Sequence, residues 1–356
     1  MKALSKEYAL FISLITLGIF ILYEDRLAQT NIGNIVGFLI LFAVIVYTSL
    51  AVAHHAELLA EKFGEPYGTL ILTMSAVTVE VMIIAIMMLH AHNPVLARDT
   101  IYSAIMLDIN ALLGVAAIIG GLKFGEQPYN IDSSNSYLSM LLVAIGLAMV
   151  MPHLIDASHH TAYMWFIVVI FILLYMVFTK IQLKNHKYFF EYRTEESESC
   201  ETHCSTYING WYHSFLLLVY ILLIGFMSEI LAVFMEHSLD YLELPLALGA
   251  VGVALISASP ELIVAFRAAL KNSMQTVINI ALGASLATVL LTVPSVIIIS
   301  YFAGLELNLA LTSMQSMLLG LTLLVSIVNF NDGETNMLEG FLHFILFIVF
   351  AFVLFL

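Results

Sequence analysis

The sequence predicts an all-α polytopic membrane protein of about eleven transmembrane helices, one leading helix followed by two inverted five-helix repeats. Three observations carry this. The 356 residues are 61% hydrophobic and only 11% charged, with a mean hydropathy of +0.99, whereas soluble domains are about a quarter charged. Apolar stretches long enough to cross a bilayer recur along the whole chain. A short motif at the end of the second stretch returns near the end of the seventh, five spans later.

Taken in order, the apolar segments fall at 8–22, 33–53, 67–89, 100–122, 137–155, 163–180, 214–235, 245–268, 275–302, 308–328 and 339–356. Proline and glycine punctuate the joints at Gly64-Glu65-Pro66, Asn93-Pro94, Gln127-Pro128, Leu244-Pro245 and Asn331-Asp332-Gly333. Segment 275–302 is the longest and is expected to be tilted or broken. Lys2 and Lys6 ahead of the first run also fit a signal peptide. That run ends in Glu24-Asp25-Arg26 rather than a small-residue cleavage site, which favours a retained helix.

Basic residues set the orientation, because cytoplasmic loops carry the excess of Lys and Arg. With the N-terminus inside, Lys2, Lys6, Lys62, Lys123, Lys180, Lys184, Lys187, Arg193, Arg267 and Lys271 fall on the cytoplasmic side, and only Arg26 and Arg98 fall outside. The C-terminus is then outside. The expected organisation is a leading helix in 1–30, a first five-helix repeat in 31–180, an acidic cytoplasmic linker in 181–213 and a second repeat in 214–356.

The repeat rests on Ala56-Glu57-Leu58-Leu59-Ala60, echoed by Ser228-Glu229-Ile230-Leu231-Ala232. Each precedes a proline, Pro66 or Pro245, that opens a span with a glutamate near its middle. Five helices is an odd number, so the second copy must be inverted. Inverted repeats enclosing a midplane site are a recurrent transporter architecture.

Those central glutamates, Glu80 and Glu261, are the leading candidates for a cation or proton site, since carboxylates in hydrocarbon are costly and face a partner or a cavity. Glu80 lies about 21 Å beyond Pro66 at 1.5 Å per helical residue, and Thr73 shares its face. Glu261 follows Pro260, which removes the hydrogen bond to the Ile256 carbonyl. That carbonyl, Ser257 and Ser259 are oxygen donors beside a carboxylate. The bland alternative, glutamates neutralised by a Lys or Arg, finds no such residue at comparable depth in the third, fourth, eighth or ninth span.

Neighbouring spans supply Asp108 and Asn110, and a stripe of Ser285, Thr288 and Thr292 at helical spacing, with Asn279. Of these Asp108, Asn110 and Ser285 are the expected pore-lining residues, although small polar residues also serve ordinary helix packing. Glu57, Glu229 and Glu236 sit towards span ends as vestibule candidates or solvated interfacial acids. Histidines 54, 55, 153, 159, 160 and 237 lie near span boundaries and read as interfacial rather than catalytic, although a histidine there can sense pH.

Net charge is −14, with several of the acids between Glu191 and Glu201 in the linker, beside Cys200, His203 and Cys204. Two cysteines imply no disulfide framework. The negative charge argues against nucleic acid as a partner; the expected partners are inorganic cations, protons and the lipid bilayer, with no cofactor.

Eight motifs stand out: Gly64-Glu65-Pro66-Tyr67-Gly68-Thr69 through Thr78-Val79-Glu80-Val81, Arg98-Asp99-Thr100, Gly120-Gly121-Leu122-Lys123-Phe124, Ser228-Glu229-Ile230-Leu231 with Glu236, Ser259-Pro260-Glu261, Arg267 to Asn272, Leu282 to Thr288, and Asp332 to Gly340. Together they resemble the calcium/proton exchanger (CAX) family of the cation/calcium exchanger superfamily, in particular its bacterial Cha-type branch. The resemblance implies the same eleven-helix plan, and implies that Glu80 and Glu261 hold the transported cation and exchange it for protons. One departure matters. The family's Gly-Asn before each central acid is replaced by Ala76-Val77 and Ser257-Ala258, so two amide oxygens are missing and Na⁺ or K⁺ stands open beside Ca²⁺.

The expected function is therefore export of Ca²⁺, Na⁺ or K⁺ in exchange for H⁺ by alternating access. The competing readings are a Na⁺(K⁺)/H⁺ antiporter with little Ca²⁺ transport, a channel or sodium/calcium exchanger, an intramembrane serine protease using Ser285 in Gly283-Ala284-Ser285 with His343, and a structural membrane subunit.

Overall fold

The computed structural model describes residues 7–63, 67–91, 93–182 and 209–355. Most of the linker, with Cys200, His203 and Cys204, and the Gly64-Glu65-Pro66 joint lie outside the described residues. Eleven helical rods account for nearly all of the rest: α1 (Tyr8–Leu27), α2 (Asn31–Phe63), α3 (Tyr67–Ala91), α4 (Leu96–Phe124), α5 (Ile131–Leu154), α6 (His160–Lys180), α7 (Gly210–Tyr241), α8 (Ala247–Ala269), α9 (Met274–Ala303), α10 (Ser313–Asn329) and α11 (Met337–Val353). Eight are long and apolar enough to cross a membrane, and α1, α10 and α11 are shorter apolar helices.

The ends of the helices follow local chemistry. Asn130, Asn209 and Asn336 accept from backbone N–H groups at the starts of α5, α7 and α11. Thr312 and Gln315 form a reciprocal capping box at α10. This box starts α10 at Ser313, later than the apolar run at 308 suggests, because residues 305–312 are spent on an extended crossing. There Asn308 N–H bonds the Pro94 carbonyl and Leu311 N–H the Met149 carbonyl. Gly304 ends α9 in the left-handed conformation, at φ 66°, which glycine adopts without a Cβ penalty. A two-residue antiparallel ribbon, β1 (Gln127–Pro128) with β2 (Glu334–Thr335), ties the α4–α5 loop to the α10–α11 loop.

Helix α2 lies along α7, with α1 packed against both. Between α1 and α2, Ser13 and Thr48 hydroxyls meet at 2.6 Å, and Phe20 of α1 meets Phe234 of α7 edge to face. Helices α3, α4, α8 and α9 form the centre, α5 and α6 flank α9, and α11 packs on the second half of α4. That last pair approaches through glycines: a Cβ on Gly340 would lie 2.7 Å from the Gly114 carbonyl oxygen. Close approach of this kind supplies the van der Waals contact that holds helices together in lipid. Large apolar side chains such as Leu22, Trp211, Met317 and Leu324 point outward, while Ser228, Thr322, Ser326 and His343 are buried inside.

Two central helices are irregular at corresponding places. α4 contains a π turn at Leu107–Leu112, and α9 contains one at Thr288–Thr292 just before Pro294. The break expected in 275–302 is this widened turn, with the rod continuing through it; the matching turn in α4 carries no proline and no sequence signal. Such bulges are frequent at functional sites. Pro260 sits inside a continuous α8, and the carbonyl it frees on Ile256 accepts a bond from Ser49 of α2 at 3.4 Å.

Candidate cation-binding site

A cavity of about 580 Å³ opens between α2, α3, α4, α8 and α9. Glu80, Asp108 and Glu261 line it together, with Thr73, Ser257, Asn279 and Thr288. Its wall also includes Glu57 near the end of α2, Gln182 just past α6 and Thr276 at the start of α9. All three belong to the end of the bundle at which the linker emerges. No Lys, Arg or His lines it among the described residues.

Each acid is held differently. Glu80, 4% exposed, accepts from Thr292 Oγ1 at 2.8 Å and from Thr288 Oγ1 at 3.0 and 3.2 Å. Both donors stand on the π turn of α9. Asp108, 3% exposed, stands on the π turn of α4 and accepts from Ser285 Oγ at 3.1 Å. On Glu261, Oε2 is buried and makes no hydrogen bond. The three carboxylates line one cavity with no basic side chain on its described wall. Buried like charges without a counter-charge are unfavourable, so this site requires a cation, protons, or both. Of the three acids, Glu261 is the one with a buried oxygen left without a hydrogen bond.

The missing amides have a visible consequence. Ala76, Val77, Ser257 and Ala258 all line the cavity, so the only side-chain oxygen at those four positions is the Ser257 hydroxyl, which donates to the Ala254 carbonyl at 3.0 Å.

Five residues expected at the pore or its vestibules do not line the cavity. Asn110 is fully buried but faces away from the cavity: its amide donates to Thr322 Oγ1 at 2.9 Å, and its carbonyl meets His343 Nδ1 at 3.1 Å. Residues two apart on a helix point about 200° apart, so Asp108 and Asn110 cannot share one face. Ser259 turns its hydroxyl onto the Leu255 carbonyl of its own helix and does not line the cavity. Glu229 is exposed on α7, which contributes nothing to the cavity wall. Glu236 is also exposed, and its carboxylate sits 3.7 Å from His90 Nε2 beside a separate small cavity near the far ends of α3 and α7.

Ser285 is buried and bonded to Asp108 rather than lining the wall itself. His343, the histidine a serine nucleophile would need, is engaged with Asn110 and stacked on Phe330. Ser285 and His343 thus serve different networks. Thr288 and Thr292, read from sequence as part of a polar stripe, turn out to be the donors to Glu80. Ser49, Tyr175 and Gln182 line the cavity without a sequence signal.

Comparison with known proteins agrees with this architecture. Residues 33–184 and 212–356 match the family model described as sodium/calcium exchanger protein. The sodium-potassium/proton antiporter ChaA of Escherichia coli (strain K12) is 33% identical over 87% of this chain and 86% of its own length. The Ca(2+)/H(+) antiporter ChaA of Bacillus subtilis (strain 168) is 26% identical over 90% of this chain and 94% of its own. The solved structure of native YfkE superposes with a TM-score of 0.77 at 19% identity, covering 98% of this chain and 99% of that one. With both halves of the bundle matched, the chain belongs to the sodium/calcium exchanger protein family.

Proposed function

We propose that this protein is a secondary cation/proton antiporter of the plasma membrane that works by alternating access, with Glu80 and Glu261 taking either the cation or protons. The observation that carries the reading is the convergence of Glu80, Asp108 and Glu261 in one cavity whose described wall holds no basic side chain. Cation and proton compete for the same oxygens, which couples their opposed movements. The names of the relatives support the same chemistry: one is a sodium-potassium/proton antiporter and another a Ca(2+)/H(+) antiporter.

In this reading the chain comprises the leading helix and two inverted five-helix repeats, 31–180 and 214–356. The N-terminus and linker are cytoplasmic, and the cavity described above faces the cytoplasm. Thr288 and Thr292 of the second repeat hold Glu80 of the first, and Ser285 of the second holds Asp108 of the first, so the two repeats cooperate in one site. The residues at Ala76, Val77, Ser257 and Ala258 favour a second reading of cation choice. Without amide oxygens there, Na⁺ or K⁺ is a stronger candidate substrate than in relatives that retain them, since hard divalent ions take many oxygen ligands.

Reconstitution into vesicles with an imposed pH gradient tests the proposal. Adding Ca²⁺, Na⁺ or K⁺ separately should collapse the gradient for at least one ion, and Glu80→Gln and Glu261→Gln should each abolish the response. Normal exchange in both variants would sink the assignment.

A further inference from the structure

Outside the transport cavity, a second set of titratable groups joins three helices at the linker end of the bundle. Glu7, just ahead of α1, accepts from Tyr212 Oη at 2.9 Å and Tyr220 Oη at 3.0 Å, both on α7. Its Oε2 also lies 3.3 Å from His55 Nε2 on α2. His55 is 1% exposed, is stacked on Tyr220, and brings its Nδ1 to 2.9 Å from Nδ1 of His213 on α7. The other charged or titratable groups near this trio are His54, whose ring centroid is 5.6 Å from that of His55, and Lys62, packed beside Gly210.

Proton bookkeeping makes this contact conditional. A carboxylate only accepts, so the His55 nitrogen facing Glu7 carries a hydrogen. The Nδ1-to-Nδ1 contact needs one hydrogen between the two rings, supplied by either histidine. It therefore survives with both rings neutral, or with either histidine as the single imidazolium. When both rings are protonated, two N–H groups face each other and the bond is lost; His54 and Lys62 add to the repulsion, and Glu7 alone opposes it.

We propose that Glu7, His55 and His213 form a regulatory proton-binding clasp, separate from the transport site, that joins α2 to α7 and α1 and opens when the second histidine takes a proton. The output is positional. His55 is buried on one side of α2, while Ser49, Ala53, Ala56 and Glu57 of the same helix line the transport cavity; α7 lines none of it. Opening the clasp frees the end of α2 that forms the cavity mouth. Acid on the linker face then disfavours the cavity-open arrangement and slows exchange. The effect on exchange rests on the antiport reading; the opening of the clasp does not.

The test uses the full-length chain with Cys200→Ser and Cys204→Ser, and spin labels on cysteines placed at the exposed positions Glu61 and Trp211. The wild-type clasp should give one narrow distance distribution at alkaline pH. This should lengthen or broaden with a midpoint below the ordinary histidine value of about 6.5, because His55 is buried and the second proton joins a pair that already carries one. His213→Gln and His55→Gln should abolish that titration. A distribution that stays constant with pH, or an unchanged titration in both variants, overturns the clasp. In vesicles, wild-type exchange should fall by up to about tenfold per unit as the linker-face pH drops below the midpoint, the limit for one titrating step. His213→Gln should lose this step, its exchange no longer falling with acid through that range. Superimposable pH profiles would overturn the regulatory role. Absent exchange in the wild type would instead count against the antiport reading, and the distance titration would still judge the clasp.

Discussion

Thr292 of α9 donates a 2.8 Å hydrogen bond to Glu80 of α3 across 212 residues of sequence. With Thr288 beside it on the same π turn, this bond makes the geometry of one helix's carboxylate depend on the irregular turn of another.

Removing those donors should loosen Glu80 without changing the cavity's shape. A buried hydrogen bond to a charged group is worth about 1.5–3 kcal/mol, so the double variant Thr288→Val, Thr292→Val should lower cation-driven proton exchange by roughly 10- to 150-fold. Initial rates in vesicles across a range of cation concentrations measure this. Wild-type rates would mean that Glu80 is positioned by something else.

Ser285 tests Asp108 in the same way. Ser285→Ala leaves the Asp108 carboxylate without its hydroxyl donor, and exchange should weaken by about tenfold or more on the same energetic grounds. Ser285→Thr keeps a hydroxyl and should recover part of the loss. Equal loss in both would point to packing rather than hydrogen bonding.

Packing between α4 and α11 is sensitive at Gly114 and Gly340, where an added side chain meets backbone atoms at 2.7–3.0 Å. Gly340→Leu should destabilise the protein by about 1–3 kcal/mol, the usual cost of overfilling a close contact. Thermal unfolding in detergent reads this directly, and Gly320→Leu, where nothing lies within 4 Å, serves as the control with little change.

Glu7 gives a pH-dependent stability with a definite sign. Its partial burial acts to raise the pKa, but donation from Tyr212, Tyr220 and His55 outweighs this and holds the carboxyl below its ordinary value of 4.5. A lowered folded-state pKa contributes stability that is present above the unfolded value and lost as pH falls through the folded one. Wild type should therefore melt above Glu7→Gln at neutral pH, and the gap should close as pH drops below about 4.5. A gap that is constant down to acid pH would show that the Glu7 charge contributes nothing.

Much of the architecture was legible in the chain because a bilayer imposes simple requirements. Each span needs enough apolar length, and each end needs a partner for its free backbone groups. All eleven helices and the irregularity of 275–302 follow from those rules. Glu80 and Glu261 stood out for the same reason, as charges where hydrocarbon tolerates few. The Asp108 and Asn110 pair shows where such reading stops. A helical wheel already separates the two residues, but which one faces the cavity depends on how α4 packs against α9 and α11.

Sequence by itself determined the class, the spans and the two central acids, since these depend on local hydropathy and on the cost of burying charge. Tertiary structure decided that Asp108 joins them while Asn110, equally expected there, does not, and that Thr288 and Thr292 hold Glu80. It also decided that Glu7, His55 and His213 meet at one end of α2 and α7. Those relationships arise between residues far apart in the chain, brought together by helix packing and by π turns that shift side chains off the regular helical phase, and no local pattern encodes them.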